Sequence, residues 1–403
     1  MKRSGRLVAG LLLLVGCKQA EQAEQRPVED QSDLDKRECV AKLTAGADPR
    51  VHTLLRSLCA ELIGQRVPGA AFALVEPGKP PIHAEYGVRC FGEPATIDPP
   101  TRFRIGSVSK PITAALAFGL IDEGKLALGS DAELLPGFTS QTGLASPRLD
   151  ALLRHRSGLG EIDPAALVEL DGAWLPALAR SRAAGSAGEY HYSNAGYSVV
   201  GAMLEAASGR PYAELVAARV FEPLALTRST ADPTVADTAC GHLAHDDELR
   251  PIPTRDDLAF MPGDPRWMAP AGGLLSSAID LASFALAIGS ERLPGTAAML
   301  EPGDPLPDDR TRAGHRDQRY GYGLRSWQLD ADTRAYGHSG NNQAFVAELM
   351  FVPDVGAIVI LANRGVELPA TLTAAEALLA GLGERNGVPS ENSSSSTEPA
   401  SPD

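Results

Sequence analysis

The sequence predicts an α/β fold in which both terminal segments build one antiparallel sheet flanked by helices, with a mostly helical lobe inserted between them. Strand-like segments occur near both ends of the chain, whereas residues 123–270 contain helical patterns and long loops with frequent prolines. The 403 residues, 44% of them hydrophobic, suffice for a large core. A cleft between the sheet and the lobe is the natural place for an active site.

The first predicted elements are a helix and two strands. Asp48 and Pro49 supply a capping carboxylate and a first-turn proline, and apolar residues then recur on one face as far as Gly64. Residues 70–75 and 82–88 have strand patterns, and the proline- and glycine-rich turn between them favours a pair of neighbouring strands.

Two further helices are predicted in the middle of the chain. Residues 107–122 are apolar nearly all round, which is typical of a helix buried in the centre of a protein. Residues 197–207 form a second helical pattern, and the Gly209-Arg210-Pro211 stretch ends it.

Strand character returns near the C-terminus. We predict short strands at residues 322–328, 345–351 and 357–362, followed by a closing helix at about 369–382. Residues 388–403 contain a run of serines and are predicted to be a disordered tail.

The N-terminus has the pattern of an export signal. Lys2, Arg3 and Arg6 precede an apolar run at residues 7–15, which is too short for a permanent membrane span. Residues 14–17 resemble a bacterial lipobox, so we expect cleavage after residue 16 and lipid on Cys17. The alternative is an ordinary leader with an incidental cysteine.

This interpretation divides the chain into four parts. Residues 1–16 are the predicted signal peptide, residues 17–45 the lipidated cysteine and a polar flexible tether, and residues 46–387 the folded domain, before the tail. We therefore expect a protein of the bacterial cell envelope that is bound to the membrane through Cys17 and faces the periplasm or the exterior.

Four cysteines remain besides Cys17, and an exported protein favours disulfides over free thiols. They allow three connectivities. We expect Cys39–Cys59 with Cys90–Cys240, because the first pair would fasten the N-terminal segment to the first helix. Four buried free thiols are the alternative.

The charge balance argues against one class of partner. The net charge is −14 and the sequence has no basic cluster, so we expect no nucleic acid partner. The sequence leaves the oligomeric state open.

The chemically most informative segment contains Ser107 and Lys110. Three residues apart at a helix start, the two side chains lie on one face, and a neutral lysine amine can take the proton of a serine hydroxyl. This is the S-x-x-K arrangement of serine enzymes that act by acyl transfer. Alone, the pair is more often ordinary helix-capping chemistry.

Two later segments contain suitable partners for this pair. Tyr192-Ser193-Asn194 has a hydroxyl that can carry a proton if a positive neighbour lowers its pKa, and an amide that can hold both substrate and lysine. In His338-Ser339-Gly340, the glycine lets a strand edge approach a ligand, and the next backbone N–H, of Asn341, can help to bind an oxyanion.

These motifs, in this order, resemble those of the β-lactamase-related serine hydrolases: class C β-lactamases, D-alanyl-D-alanine carboxypeptidases and related esterases. Residues 152–159 (LLRHRSGL) and 270–277 (PAGGLLSS) resemble two framework segments of the same family. The resemblance covers about residues 60–385 and implies a β-lactamase/transpeptidase-like fold.

The resemblance also implies roles for individual residues. Ser107 is expected to be the acylated nucleophile, Lys110 its proton acceptor and Tyr192 the proton relay. Substrate is expected to be bound by a second group of residues: Asn194, His338, Gly340 and Asn341. His338 is expected to face a substrate carboxylate or to assist Tyr192, and the N–H groups of Ser107 and Asn341 to form the oxyanion hole.

One departure guides the expected activity. Class C β-lactamases have Lys-Thr-Gly where this chain has His338-Ser339-Gly340, and carboxypeptidase- and esterase-like relatives share the histidine. We therefore expect an exported serine hydrolase acting through an acyl-enzyme on an amide or ester of a small molecule or peptide. A β-lactamase is the first alternative, and a non-catalytic penicillin-binding sensor is the second.

Two other histidine-containing segments have simpler interpretations. His155 is expected to be a packed, hydrogen-bonded residue that supports the site. His242 and His245 would share a face of one helical turn and can suggest zinc, but the acidic, proline-rich residues that follow favour a solvated loop. We expect neither a metal nor a cofactor.

Overall fold

The computed structural model describes residues 31–245, 248–252, 265–342 and 344–385. An eight-stranded sheet, in which every neighbouring pair is antiparallel, forms its centre. The strands, in chain order, are β1 (Gly69–Val75), β2 (Ile82–Gly87), β3 (Phe103–Arg104), β4 (Gly241–His245), β5 (Glu248–Ile252), β6 (Leu275–Ser276), β7 (Asp304–Pro305), β8 (Arg316–Tyr320), β9 (Arg325–Gln328), β10 (Arg334–Asn342), β11 (Phe345–Val352) and β12 (Gly356–Ala362).

The two ends of the chain share this sheet, as the sequence predicts. The spatial order is β2-β1-β12-β11-β10-β9-β8-β7, and the N-terminal strand β1 pairs with the C-terminal strand β12 from Ala70 opposite Ala362 to Val75 opposite Ala357. Strands β3 and β6 form a separate pair, as do β4 and β5.

Ten helices complete the described part of the chain. They are α1 (Gln31–Thr44), α2 (His52–Gly64), α3 (Ser109–Asp122), α4 (Leu149–Leu153), α5 (Pro164–Glu169), α6 (Trp174–Arg180), α7 (Asn194–Ser208), α8 (Tyr212–Val216), α9 (Ala278–Gly289) and α10 (Pro369–Arg385). None of these helices has the length and apolar character needed to cross a membrane. Helices α4–α8, joined by long loops, are the main regular structure of the segment between the two groups of sheet strands, and the β4–β5 hairpin is its main strand structure.

Helices cover both faces of the sheet because its central strands are apolar on both sides. In β1, Phe72 and Leu74 pack in the core formed with α2 and α10, whereas Ala71 and Ala73 pack in the core shared with α3 and α9. Helix α3 is buried along almost its whole length, which confirms the sequence-based expectation of a central helix.

The N-terminal part differs from the sequence-based expectation. A flexible tether is predicted for residues 17–45, but residues 31–44 form α1, which packs on α2. The helix is mostly polar and buries little more than Cys39 and Leu43, so hydrophobic periodicity does not reveal it. Cys17, the signal segment and the tail at residues 388–403 lie outside the described residues.

Both expected disulfides are present. Cys39–Cys59 joins α1 to α2, and Cys90–Cys240 joins the segment after β2 to the residue just before β4. The two bonds confirm the predicted pairing, and the second ties the sheet to the far end of the central helical segment.

Strands β11 and β12 confirm the predictions at residues 345–351 and 357–362, whereas one late strand and the start of α7 differ from their predicted positions. A single strand is predicted at residues 322–328, but β8 ends at Tyr320, a turn follows, and β9 begins at Arg325. Gly323, at a φ of +75°, allows the turn, which the apolar pattern alone does not indicate. Helix α7 begins at Asn194 instead of residue 197, because Ser193 caps it: its hydroxyl oxygen accepts the N–H of Gly196 at 3.0 Å.

Candidate active site

Ser107 lies in a single 3-10 turn, Gly106–Val108, between β3 and α3. Helix α3 therefore begins at Ser109, two residues later than predicted, but the turn still brings Ser107 and Lys110 together. Gly106 has a φ of +51°, and a Cβ there would lie 3.2 Å from the Cα of Gly340. The glycine thus lets the Ser107 turn approach the end of β10.

Lys110 is fully buried beside Ser107. Its Nζ lies 3.1 Å from the Ser107 Oγ, 2.8 Å from the Asn194 Oδ1 and 2.7 Å from the carbonyl oxygen of Ala271. Burial lowers the pKa of Lys110 to about 7, against a weaker opposing effect of the Glu161 charge. None of the described carboxylates forms an ion pair with Lys110.

The partners of Lys110 suit its neutral form. A neutral amine has two N–H donors and one lone pair, and the Asn194 and Ala271 oxygens can only accept. If both N–H groups go to these two oxygens, the lone pair remains for the Ser107 hydroxyl. The geometry therefore arranges the lysine as a proton acceptor.

A π-helical turn at Ala269–Gly273 supplies one of these oxygens. The Ala271 carbonyl accepts from Lys110, and the Pro270 carbonyl accepts from the Thr113 hydroxyl at 2.7 Å, so the turn is fastened to α3 twice. Ala271 was not singled out as a site residue by its sequence, because every residue type has a backbone carbonyl.

Tyr192 and Asn194 flank the first turn of α7. The Tyr192 ring centre is 4.7 Å from the Lys110 Nζ, so the predicted neighbours do meet. The expected lowering of the Tyr192 pKa is wrong: desolvation raises that pKa, with the Ser107 hydroxyl opposing the shift. The expectation fails because burial also lowers the pKa of Lys110. Lys110 has therefore lost its positive charge at the alkaline pH at which a tyrosine hydroxyl ionises.

Glu161 is a site residue that sequence reasoning missed. Its Oε1 accepts the backbone N–H of Asn194 at 2.5 Å and its Oε2 accepts that of Ala195 at 3.4 Å. The carboxylate thus binds the N-terminus of α7, where the helix dipole favours negative charge, and holds Asn194 in place. Only the sequence position of Glu161, just after the 152–159 framework segment, hinted at this contact.

The predicted third segment lies at the end of β10. A Cβ at Gly340 would lie 2.0 Å from the Ile105 carbonyl oxygen and 3.0 Å from the Ser107 backbone nitrogen, so only glycine fits. A Cβ at Gly106 would in turn lie 3.5 Å from the Asn341 backbone nitrogen. The strand edge and the Ser107 turn are therefore in direct contact, as the oxyanion hypothesis requires.

His338 does not behave as the sequence suggests. It is 4% exposed, its Nδ1 lies 2.8 Å from the Ser339 carbonyl oxygen and its Nε2 lies 3.1 Å from the Tyr320 hydroxyl. Burial, with Lys110 and Arg325 nearby, holds its pKa well below the usual range. A neutral ring with both nitrogens engaged cannot offer a charge to a substrate carboxylate, and it contacts Tyr192 only ring to ring, at 6.2 Å.

The supporting residue and the metal alternative are also placed by the structure. His155 is buried and hydrogen-bonded, as expected. His242 lies in strand β4 instead of a helical turn, and its two ring nitrogens are taken by the Asn363 carbonyl and the Phe91 N–H. Within the described ranges, no group of three or more potential metal ligands is assembled.

Comparisons with known proteins agree with this geometry. The model of the beta-lactamase family matches residues 44–382. The chain is 29% identical to penicillin-binding protein 4 of Amycolatopsis lactamdurans over 325 residues, which cover 74% of this chain and 81% of that protein.

Two further relatives are informative. A D-aminopeptidase of Cereibacter sphaeroides is 27% identical over 335 residues, which cover 79% of this chain, so the chain spans 60% of the length of that relative. The crystal structure of a D-alanine carboxypeptidase from Burkholderia cenocepacia superimposes with a TM-score of 0.65 at 22% identity, over 82% of this chain and 99% of the other.

Proposed function

The chain belongs to the beta-lactamase family, and from this membership we propose that it is a serine hydrolase that forms an acyl-enzyme at Ser107. We place its natural substrate among amides or esters, with a D-amino acid residue at the bond that is broken. The observation that carries the proposal is the buried Lys110, whose Nζ lies 3.1 Å from the Ser107 Oγ and whose two other partners are oxygens that can only accept.

Acylation then proceeds as follows. Lys110 takes the proton of Ser107 as Oγ attacks the substrate carbonyl carbon, and the carbonyl π electrons move to the oxygen. The backbone N–H groups of Ser107 and Asn341 stabilise this oxyanion. As the tetrahedral intermediate collapses, the bond to the leaving group breaks, and the proton from Lys110 reaches the leaving atom through the neutral Tyr192 hydroxyl.

Deacylation reverses the proton path. A water molecule approaches the ester carbonyl and loses its proton through Tyr192 to Lys110, and its oxygen forms the new bond to carbon. Ser107 recovers its proton from Lys110 when the ester bond breaks. Because its raised pKa keeps Tyr192 protonated, the hydroxyl passes protons without accumulating as tyrosinate.

The substrate class is supported by two observations. The named relatives include a D-aminopeptidase and a D-alanine carboxypeptidase, both enzymes of D-amino acid substrates by their names. In addition, the third motif presents a neutral His338 where class C β-lactamases have a lysine. We therefore expect slow turnover of β-lactams compared with D-aminoacyl amides or peptides.

The decisive experiment is active-site labelling. We expect a fluorescent fluorophosphonate, and more slowly a fluorescent penicillin, to label the protein on the peptide that contains Ser107. Ser107→Ala should abolish labelling, whereas the control Ser283→Ala on α9, whose hydroxyl bonds only within its helix, should label normally. Labelling that survives Ser107→Ala would overturn the proposal. A hydrolysis panel of a D-Ala-D-Ala peptide, a D-alanine p-nitroanilide, a p-nitrophenyl ester and nitrocefin then identifies the substrate class.

We also propose that the protein is exported and anchored by lipid on Cys17. The two disulfides support this proposal, because such bonds persist in oxidising compartments. The mature N-terminal peptide should carry diacylglycerol on Cys17, and Cys17→Ser should move the protein from the membrane to the soluble fraction. An unmodified N-terminus downstream of Cys17 would exclude the anchor.

A further inference from the structure

Tyr320, the last residue of β8, is buried between two histidines of the candidate active site. Its hydroxyl lies 3.1 Å from the Nε2 of His155 and 3.1 Å from the Nε2 of His338. We propose that Tyr320 is a positioning residue, which with His155 fixes the tautomer and orientation of His338 and joins the first turn of α7 to strand β10. Only the kinetic part of this proposal rests on the proposed function.

The hydrogen bonds form a chain that runs from Ser193 through His155, Tyr320 and His338 to Ser339. This hydrogen-bond chain has one consistent direction. The backbone N–H of Ser193 donates to the His155 Nδ1 at 3.1 Å, so this nitrogen must carry a lone pair and the His155 proton must be on Nε2. The Nε2–H then donates to the Tyr320 oxygen. The Tyr320 hydroxyl proton is left for the Nε2 of His338, whose Nδ1–H donates to the Ser339 carbonyl at 2.8 Å.

The hydrogen-bond chain offers no acceptor for an additional proton on His155 or His338. A proton on the Nδ1 of His155 would face the Ser193 N–H, and a proton on the Nε2 of His338 would face the Tyr320 O–H. The ionisable groups near the two rings are basic, so their charged forms are cations: Lys110 and Arg325 for both rings, and Arg312 for His338. The acidic group closest along β11, Glu348, pairs with Ser339 and Arg312 on the other side of β10. Both rings are therefore held neutral.

The chain reaches the proposed catalytic groups from two sides. At one end, Ser193 lies between Tyr192 and Asn194, and the Tyr192 ring lies 4.2 Å from the His155 ring. At the other end, His338 precedes Gly340 and Asn341 by two and three positions on β10. In the described part of the chain, Tyr320 forms no hydrogen bond with Ser107 or Lys110. It therefore acts on the site through its partners His155 and His338.

The tautomers can be measured directly. In protein labelled with [15N]histidine, long-range 1H–15N spectra should show the proton of His155 on Nε2 and that of His338 on Nδ1, with assignments from His155→Gln and His338→Gln. A His338 proton on Nε2, or a charged ring at neutral pH, would refute the chain. This measurement needs no substitution of Tyr320 and no knowledge of the substrate.

Tyr320→Phe tests the consequence for the reaction. We expect the Nε2 resonance of His338 to move to the position of an unbonded nitrogen, and kcat to fall about 10- to 100-fold with little change in KM, since small misplacements of reacting groups are costly. Tyr336→Phe is the matched control: this buried tyrosine lies on β10 two residues before His338, but its hydroxyl donates to the Leu300 carbonyl, outside the hydrogen-bond chain. It should keep the His338 resonance and kcat.

The outcomes separate the two proposals. Wild-type kcat in a folded Tyr320→Phe, or an equal loss in Tyr336→Phe, would count against Tyr320 as a positioning residue. Failure of wild-type Ser107 to react with fluorophosphonate would instead count against the proposed function, and the tautomer measurement would still decide the hydrogen-bond chain.

Discussion

Lys110 is a long side chain that ends in the interior, where a charged amine is costly. Its partners are two carbonyl-type oxygens and a hydroxyl, none of which carries a charge to compensate an ammonium. Burial therefore moves its pKa down to about 7, into the range in which a general base is effective. A residue that would be expensive as a structural element is useful as a proton acceptor.

The lowered pKa of Lys110 predicts a pH dependence for acylation. Because the free amine of Lys110 is the active form and its pKa is about 7, the acylation rate should rise with pH through about 7 and level off above it. The raised pKa of Tyr192 means that no falling limb from tyrosine ionisation should appear at mildly alkaline pH. Stopped-flow acylation across this range measures the profile.

Lys110→Arg is the informative variant for this prediction, because a guanidinium keeps its proton and cannot act as the base. It should lose acylation at every pH. A rate that is constant across neutral pH, or an active Lys110→Arg, would contradict the assignment of Lys110 as the base.

At the residue scale, sequence motifs located most of the site but not its electrostatics. Ser107, Lys110, Tyr192, Asn194 and Gly340 meet as predicted, because their side-chain types are specific to the chemistry. The direction in which the pKa of Tyr192 moves depends on its burial. The role of His338 depends on a hydrogen bond to Tyr320, which lies on a different strand. Such contacts become visible only when the chain is folded.

At the scale of elements, the site is assembled where element ends meet: the turn before α3, the first turn of α7, the π-helical turn and the end of β10. Each junction depends on close backbone approach. Gly201 of α7, for example, leaves room for Pro270, since a Cβ there would lie 2.2 Å from the proline Cγ. Hydrophobic patterns predicted α3 and all of α7 except its first turn and its last residue, but the turns that orient the site come from local backbone geometry.

Gly340→Ala tests the contact between β10 and the Ser107 turn. The added methyl group would lie 2.0 Å from the Ile105 carbonyl oxygen, so β10 must move away from the Ser107 turn. This movement separates the backbone N–H groups of Asn341 and Ser107. We expect a loss of about 100-fold or more in kcat, as for removal of one oxyanion donor. Pre-steady-state acylation separates this effect from substrate binding.

Gly119→Ala is the control for this substitution. Gly119 is on α3, the helix that carries Lys110, and a Cβ there meets no atom within 4 Å. Alanine should stabilise the helix by about 0.5–1 kcal/mol and leave kcat unchanged. If Gly340→Ala had the same kcat as Gly119→Ala, stabilisation of the oxyanion would not depend on the close contact between β10 and the Ser107 turn.

At the scale of the whole molecule, the first and last strands of the described residues, β1 and β12, pair in one sheet, and the second disulfide adds another long-range link. Cys90–Cys240 closes a loop with a sequence separation of 150, whereas Cys39–Cys59 closes one of 20. The antiparallel sheet from both terminal segments was predictable, because it follows from strand patterns at both ends. Helix α1 was not, because its few buried residues leave no periodic signal.

The two disulfides should contribute unequally to stability. In the chain-entropy treatment, the longer loop constrains the unfolded chain more, by about 1.8 kcal/mol. Urea unfolding of Cys90→Ser/Cys240→Ser should therefore show a larger loss in the free energy of unfolding than Cys39→Ser/Cys59→Ser. Equal losses, or the reverse order, would indicate that local packing at α1 outweighs loop entropy. Neither pair contacts Ser107, so both variants should keep the wild-type acylation rate below their unfolding transitions.

Helix α1 also limits the distance between Cys17 and the folded domain. Because this helix is fixed to α2 by Cys39–Cys59, only residues 18–30 separate Cys17 from the folded body. Whatever its conformation, a segment of that size spans at most about 50 Å. An enzyme anchored at Cys17 would thus work within a shallow layer above the lipid surface, and its substrates would have to come to that layer.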